Sequence, residues 1–136
     1  MPKIFGLNLL GVLLGSVAFF MVGFVFYGVL FAEYWMEASG YVESDFENDS
    51  PIWMLGGFLV TLLQVIGIGL VLKWRGVTDL IGSVTTAITL WFFFALAFVH
   101  YAYLYSPGHH AGLLMVDASH LLVGWVVAAI MLSFFD

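Results

Sequence analysis

Residues 100–120 read HYAYLYSPGHHAGLLMVDASH. All four histidines of the chain lie here, His100, His109, His110 and His120, and Asp117 stands among them. Imidazoles gathered with a carboxylate point to three kinds of chemistry. Imidazole ligates zinc, copper, nickel or iron, and a carboxylate can complete the set. Imidazole also titrates near physiological pH, so with Asp117 it could form a proton relay or line a solute path. The third role is structural: an acid and a base that satisfy each other where water is scarce. Asp117 and His120 are three residues apart and project from one helix face. Glu33 and Glu37, one turn apart, are the carboxylates that could approach His109 and His110 from the same side. A haem clamp needs two histidines at matched depth, and His100 and His120 are offset. The spacing matches no strong metal signature, and the sequence names neither a metal nor a cofactor.

These groups sit in an oily chain. Of 136 residues, 63% are hydrophobic and 9% charged, with a mean hydropathy of +1.09. A soluble domain carries about 25% charged residues, and a chain this short cannot hide so much apolar surface in a water-soluble core. The natural solvent is a bilayer. There is no cysteine, hence no disulfide, thiolate nucleophile or thiolate metal site. The net charge of -6 argues against nucleic acid and against docking on anionic headgroups.

A spanning helix needs about 20 mostly apolar residues. Four stretches qualify, at about 8–31, 52–72, 80–104 and 111–135, and they predict an all-α polytopic membrane protein with an up-down bundle of four helices as a single domain. The first apolar run continues through FFMVGFVFYGVLF, well past the 7–15 residues of a signal h-region, so it reads as a retained helix. The three basic residues, Lys3, Lys73 and Arg75, all fall at one end of the four spans. The positive-inside rule makes that end cytoplasmic, with both termini inside. The acidic loop 32–50, holding six of the nine carboxylates, and the histidine turn then share the periplasmic or outer face of a bacterial inner membrane.

The connections carry local signals. The first helix should run beyond the membrane surface and stop at Gly40, with Tyr34, Trp35, Tyr41 and, in the second span, Trp53 as interfacial anchors. Ser50 and Pro51 suit the start of the second span, and Ser106 and Pro107 the start of the fourth. Small residues let helices approach closely in lipid. Gly11, Gly15 and Gly23 mark such a stripe on the first span, expected to line a contact with another copy or a partner. Gly82, Thr86, Thr89 and Phe93 mark one on the third, reaching His100. Asp117, His120, Gly124 and Ala128 mark one on the fourth. Counting back from the short turn places His100 opposite about Leu114, within a turn of Asp117, so a His100–Asp117 pair is expected at the end of that hairpin.

The stretch VGFVFYGVLFAEYWMEASG, Val22–Gly40, resembles the bacterial membrane family catalogued as domain of unknown function 1761. The shared features are Gly23, Phe26 with Tyr27, Leu30 with Phe31, Trp35 with Met36, and Gly40. Asn8 is similar to the asparagine that often opens the family's first span. Near the C-terminus, DASHLL resembles the family's Asn-Ala-Gly-Tyr-His, with Asp117 for the asparagine and His120 for the histidine, but one residue shorter. The resemblance implies a four-span fold and brings no activity.

No nucleophile motif, phosphate-binding glycine loop or dinucleotide fingerprint is present, so no enzyme is expected. The leading expectation is a non-enzymatic accessory unit packing with itself or within a larger membrane complex. The alternative is a small transporter or a metal- or proton-handling protein built on the outer His/Asp cluster.

Overall fold

A computed structural model describes residues 2–135. Four helices are long and apolar enough to cross a membrane: Leu9–Leu30, Ile52–Arg75, Leu80–Tyr105 and Ala111–Ser133, here the first to fourth spans. They lie close to the expected stretches, because span length and hydropathy are local properties of the chain. A separate helix, Ala32–Ser39, follows the first span after a break at Phe31 and ends at Gly40, whose φ of 78° suits glycine.

The fourth span is the hub. It packs extensively against both the first and the third and less against the second, whereas the second and third barely meet. Phe19, Val12, Val65, Ala87, Ala128 and Ala129 are at most 1% exposed at its contacts. Three side-chain hydrogen bonds tie neighbours to it. The Tyr27 hydroxyl of the first span donates to Asp117 Oδ1. Trp91 Nε1 of the third donates to the Ala118 carbonyl at 2.9 Å. Trp125 Nε1 donates to Gln64 Oε1 of the second at 2.8 Å. At the other end Arg75 donates to Thr86 Oγ1, joining the second and third spans at 2.6 Å.

Two of these donors sit in π-helical segments, Val25–Leu30 in the first span and Trp91–Ala95 in the third. Each adds a residue to a turn and rotates the following face by about 100°. The inward stripe read on the third span fails before its π-helical segment, for Thr89, within the regular helix Leu80–Leu90, is already exposed. Thr86 is buried, but Phe93 is 65% exposed. The buried line runs instead through Ser83, Ala87 and Ala95. At Gly82 an added methyl would meet Asp79 and Val77 of the preceding turn rather than another span, and its N–H is held at 2.8 Å by the N-cap Asp79.

The glycine stripe of the first span is used within the chain, another correction. Methyls added at Gly11, Gly15 and Gly23 would meet Phe135, Val65 and His120 respectively. A feature with no sequence signal opens the chain: a two-residue-strand hairpin, Lys3–Ile4 with Leu7–Asn8. Its turn takes positive φ at both Phe5 and Gly6, the mirror-image geometry usually marked by Asn-Gly. It seats Leu7 against Gly69 and delivers Asn8, whose side chain caps the first span by accepting from Gly11 N at 3.1 Å.

Candidate functional site

The acidic end of the bundle is built on the first turns of the fourth span. Ser106 and Pro107 do not start this helix. They form a turn after the third span, where Gly108 and His109 take positive φ. His110 is the N-cap, its Nδ1 accepting from Leu113 N at 3.1 Å, and its ring packs edge-on against Tyr34. Two turns further in lies Asp117, half-buried, and one turn beyond it His120.

The expected His100–Asp117 pair is not formed. His100 Nδ1 faces the Leu96 carbonyl of its own helix at 2.6 Å, and its ring stacks on Tyr103. Asp117 instead meets Tyr27, carried to it by the π-helical segment of the first span. His120 lies beneath Tyr27, edge to face with ring centroids 5.0 Å apart, and also touches Phe19 and Phe26. His109 turns to the Tyr103 carbonyl at 2.9 Å. Glu33 and Glu37 are exposed on the helix Ala32–Ser39. Among the described residues, no three His, Asp or Glu side chains converge as a metal would require. The gathering of Glu33, Glu37, His109 and His110 considered from sequence is therefore absent.

Asp117 has one oxygen in use and one free. Oδ1 takes the Tyr27 hydroxyl, and Oδ2 has no partner among the described residues. Among the described residues no buried side-chain nitrogen or oxygen lacks a partner, so the free Oδ2 is not enclosed by the protein. Two clefts reach this residue. One, of about 290 Å³, runs between the helix Ala32–Ser39 and the third and fourth spans, lined by Tyr41, Tyr103, His110 and Asp117 among others. The other, of about 260 Å³, is lined by Tyr27, Trp35 and Asp117. Trp35 joins the two walls, edge-on to Tyr27 at 6.4 Å and stacked on Tyr41 at 5.7 Å. It is thus half-buried in an aromatic chain that continues to Phe46, whereas Trp53 is 71% exposed. The sequence singled out Asp117 but not Tyr27 as its partner. The signal was there in the aromatic pair Phe26-Tyr27 at the same end as Asp117.

No curated protein and no solved structure matches the chain. The family model described as "Protein of unknown function (DUF1761)" matches residues 10–133, a range that holds both Tyr27 and Asp117. The chain belongs to the DUF1761 family.

Proposed function

We propose that this is a non-catalytic, multi-pass protein of the bacterial inner membrane that binds a small cation in the cleft at its acidic end, with Asp117 as the counter-charge. One observation carries the reading: a carboxyl group inside a span, held by one oxygen and open through the other to two clefts. Ionisable groups within spans are costly and mark ligand or ion sites. The charge distribution supports it. Six carboxylates lie in the loop 32–50 at this end, and all three basic residues lie at the other, a field that concentrates cations at the cleft mouth. The positive-inside rule turns this end outward.

The test is thermal unfolding of the purified protein in detergent at fixed ionic strength, with the cation exchanged among protons, sodium, potassium, magnesium and organic ammonium salts. At least one cation should stabilise the protein saturably, by about 2.7 kcal/mol at one hundred times its Kd, and Asp117→Asn should abolish the effect. Indistinguishable titrations of the native protein and Asp117→Asn, for every cation, would refute it.

A second reading, an accessory unit within a larger complex or a homo-oligomer, draws on the third span. It is the least buried of the four, at 22% of its apolar window, with Phe92, Phe93, Phe94 and Phe98 exposed. Mass measurement in mild detergent tests it, and a partner-free monomer at every concentration counts against it.

A further inference from the structure

We infer that the cation held at Asp117 is an organic ammonium, seated between the carboxylate and an aromatic wall. The inference rests on the cation-binding reading above and deepens it.

The donor set decides between cation classes. Calcium takes six to eight oxygen ligands and magnesium a near-octahedral shell. Among the described residues Asp117 is the only carboxyl group lining either cleft, and one of its oxygens is already taken by Tyr27. A single free carboxylate oxygen cannot strip the hydration shell of a divalent ion. Ring surface stands beside it, from Tyr27 and Trp35 on one side and from Tyr41 and Tyr103 on the other, where Ser39, Ser106 and His110 add neutral polar groups to a largely aliphatic wall. A quaternary or alkyl ammonium is weakly hydrated, is attracted to ring faces, and needs one counter-charge.

The shape agrees. The two features, about 290 and 260 Å³ with the second shallow and open, fall just below the range for small-ligand sites, about 300–1,000 Å³, the size for a head of a few heavy atoms. The stacked Trp35–Tyr41 pair and the Tyr27–Trp35 edge contact hold these rings relative to one another before any ligand arrives. The Tyr27 hydrogen bond likewise fixes the carboxylate. Asp117 stands about 9 Å along the helix from Ala111 at the start of the fourth span, a depth that suits entry from water and from a headgroup layer alike. The same ammonium chemistry can therefore come from a free amine or from a phospholipid headgroup.

The experiment titrates the detergent-purified protein with choline and tetramethylammonium chlorides against sodium, potassium and magnesium chlorides at matched ionic strength. Thermal stability and tryptophan emission are the readouts. The expected result is saturable stabilisation by both ammonium ions, with at least tenfold tighter apparent binding than sodium. Asp117→Asn, which keeps an acceptor for Tyr27, should remove it. Trp35→Leu should weaken ammonium binding about tenfold while leaving any response to inorganic cations unchanged. A lipid arm uses nanodiscs of phosphatidylglycerol with stepwise addition of phosphatidylethanolamine or phosphatidylcholine. Stabilisation there that free choline competes away assigns one site to both sources. Stabilisation by the lipid alone, with no response to soluble ammonium, assigns the headgroup. A response through Asp117 to inorganic cations or protons without ammonium preference overturns the inference and leaves the broader reading standing. No response to any cation overturns both.

Discussion

Gly124 offers the sharpest test of the packing. It lies in the fourth span, buried, facing Phe19 of the first, in one of the two extensive helix pairs of the molecule. A methyl group added at Gly124 would overlap Cε1 and Cδ1 of the Phe19 ring and stand 3.0 Å from Cζ. Phe19 is itself 1% exposed, so the ring has no open space to enter. Gly124→Ala must then spread the two helices or force the ring off its rotamer, at about 1–3 kcal/mol. Two comparisons calibrate this. At Gly11 the added methyl meets Phe135 Cβ at 2.9 Å and Cγ at 3.2 Å. Phe135 is only half-buried near the chain end and can yield, so Gly11→Ala should cost less. At Gly67 nothing lies within 4 Å. There alanine should be neutral or stabilising by up to about 1 kcal/mol, the helix-propensity difference between the two residues. The assay is unfolding in mixed micelles followed by tryptophan emission, with recovery of the monodisperse peak after a heat step as a second measure. The predicted order of stability is Gly67→Ala, then Gly11→Ala, then Gly124→Ala. A Gly124→Ala protein as stable as Gly67→Ala would show that the first and fourth spans do not meet as described.

Three further outcomes follow from the polar ties. Asp117→Leu leaves the Tyr27 hydroxyl without its acceptor and should cost about 1–3 kcal/mol, whereas Asp117→Asn keeps a carbonyl oxygen there and should cost less than half of that in the same unfolding assay. Gln64→Leu breaks the bond from Trp125 and, in a double-mutant cycle with Trp125→Phe, should show a coupling of about 0.6 kcal/mol, typical of interhelical hydrogen bonds in lipid; zero coupling would remove that contact. His110→Ala deletes the N-cap of the fourth span, at about 0.5–2 kcal/mol, and should speed hydrogen exchange at Leu113 and Leu114, with His110→Asn restoring protection.

The spans were legible in the sequence because crossing a membrane is decided by length and hydropathy within each segment, with no need to know the neighbours. The Gly40 stop was legible for the same reason, since a positive φ at a helix end favours glycine whatever packs around it. So was Asp117 as the one carboxyl group within a span. Its partner was not. Counting at 3.6 residues per turn assumes an unbroken helix, and the π-helical segments Val25–Leu30 and Trp91–Ala95 shift the face beyond them. Tyr27, inside the first of them, meets Asp117, and Phe93, inside the second, is exposed. Nothing in the strings VFYGVL or WFFFA distinguishes a π turn from an α turn. The opening hairpin was hidden likewise, Phe-Gly carrying none of the usual turn chemistry. Composition and periodicity thus determined which segments cross and where the polar groups lie along them. Only the packing of one helix on another, which depends on rotational phase summed over the whole span, decided that a tyrosine rather than a histidine holds Asp117, and that the carboxylate's other oxygen opens into a cleft.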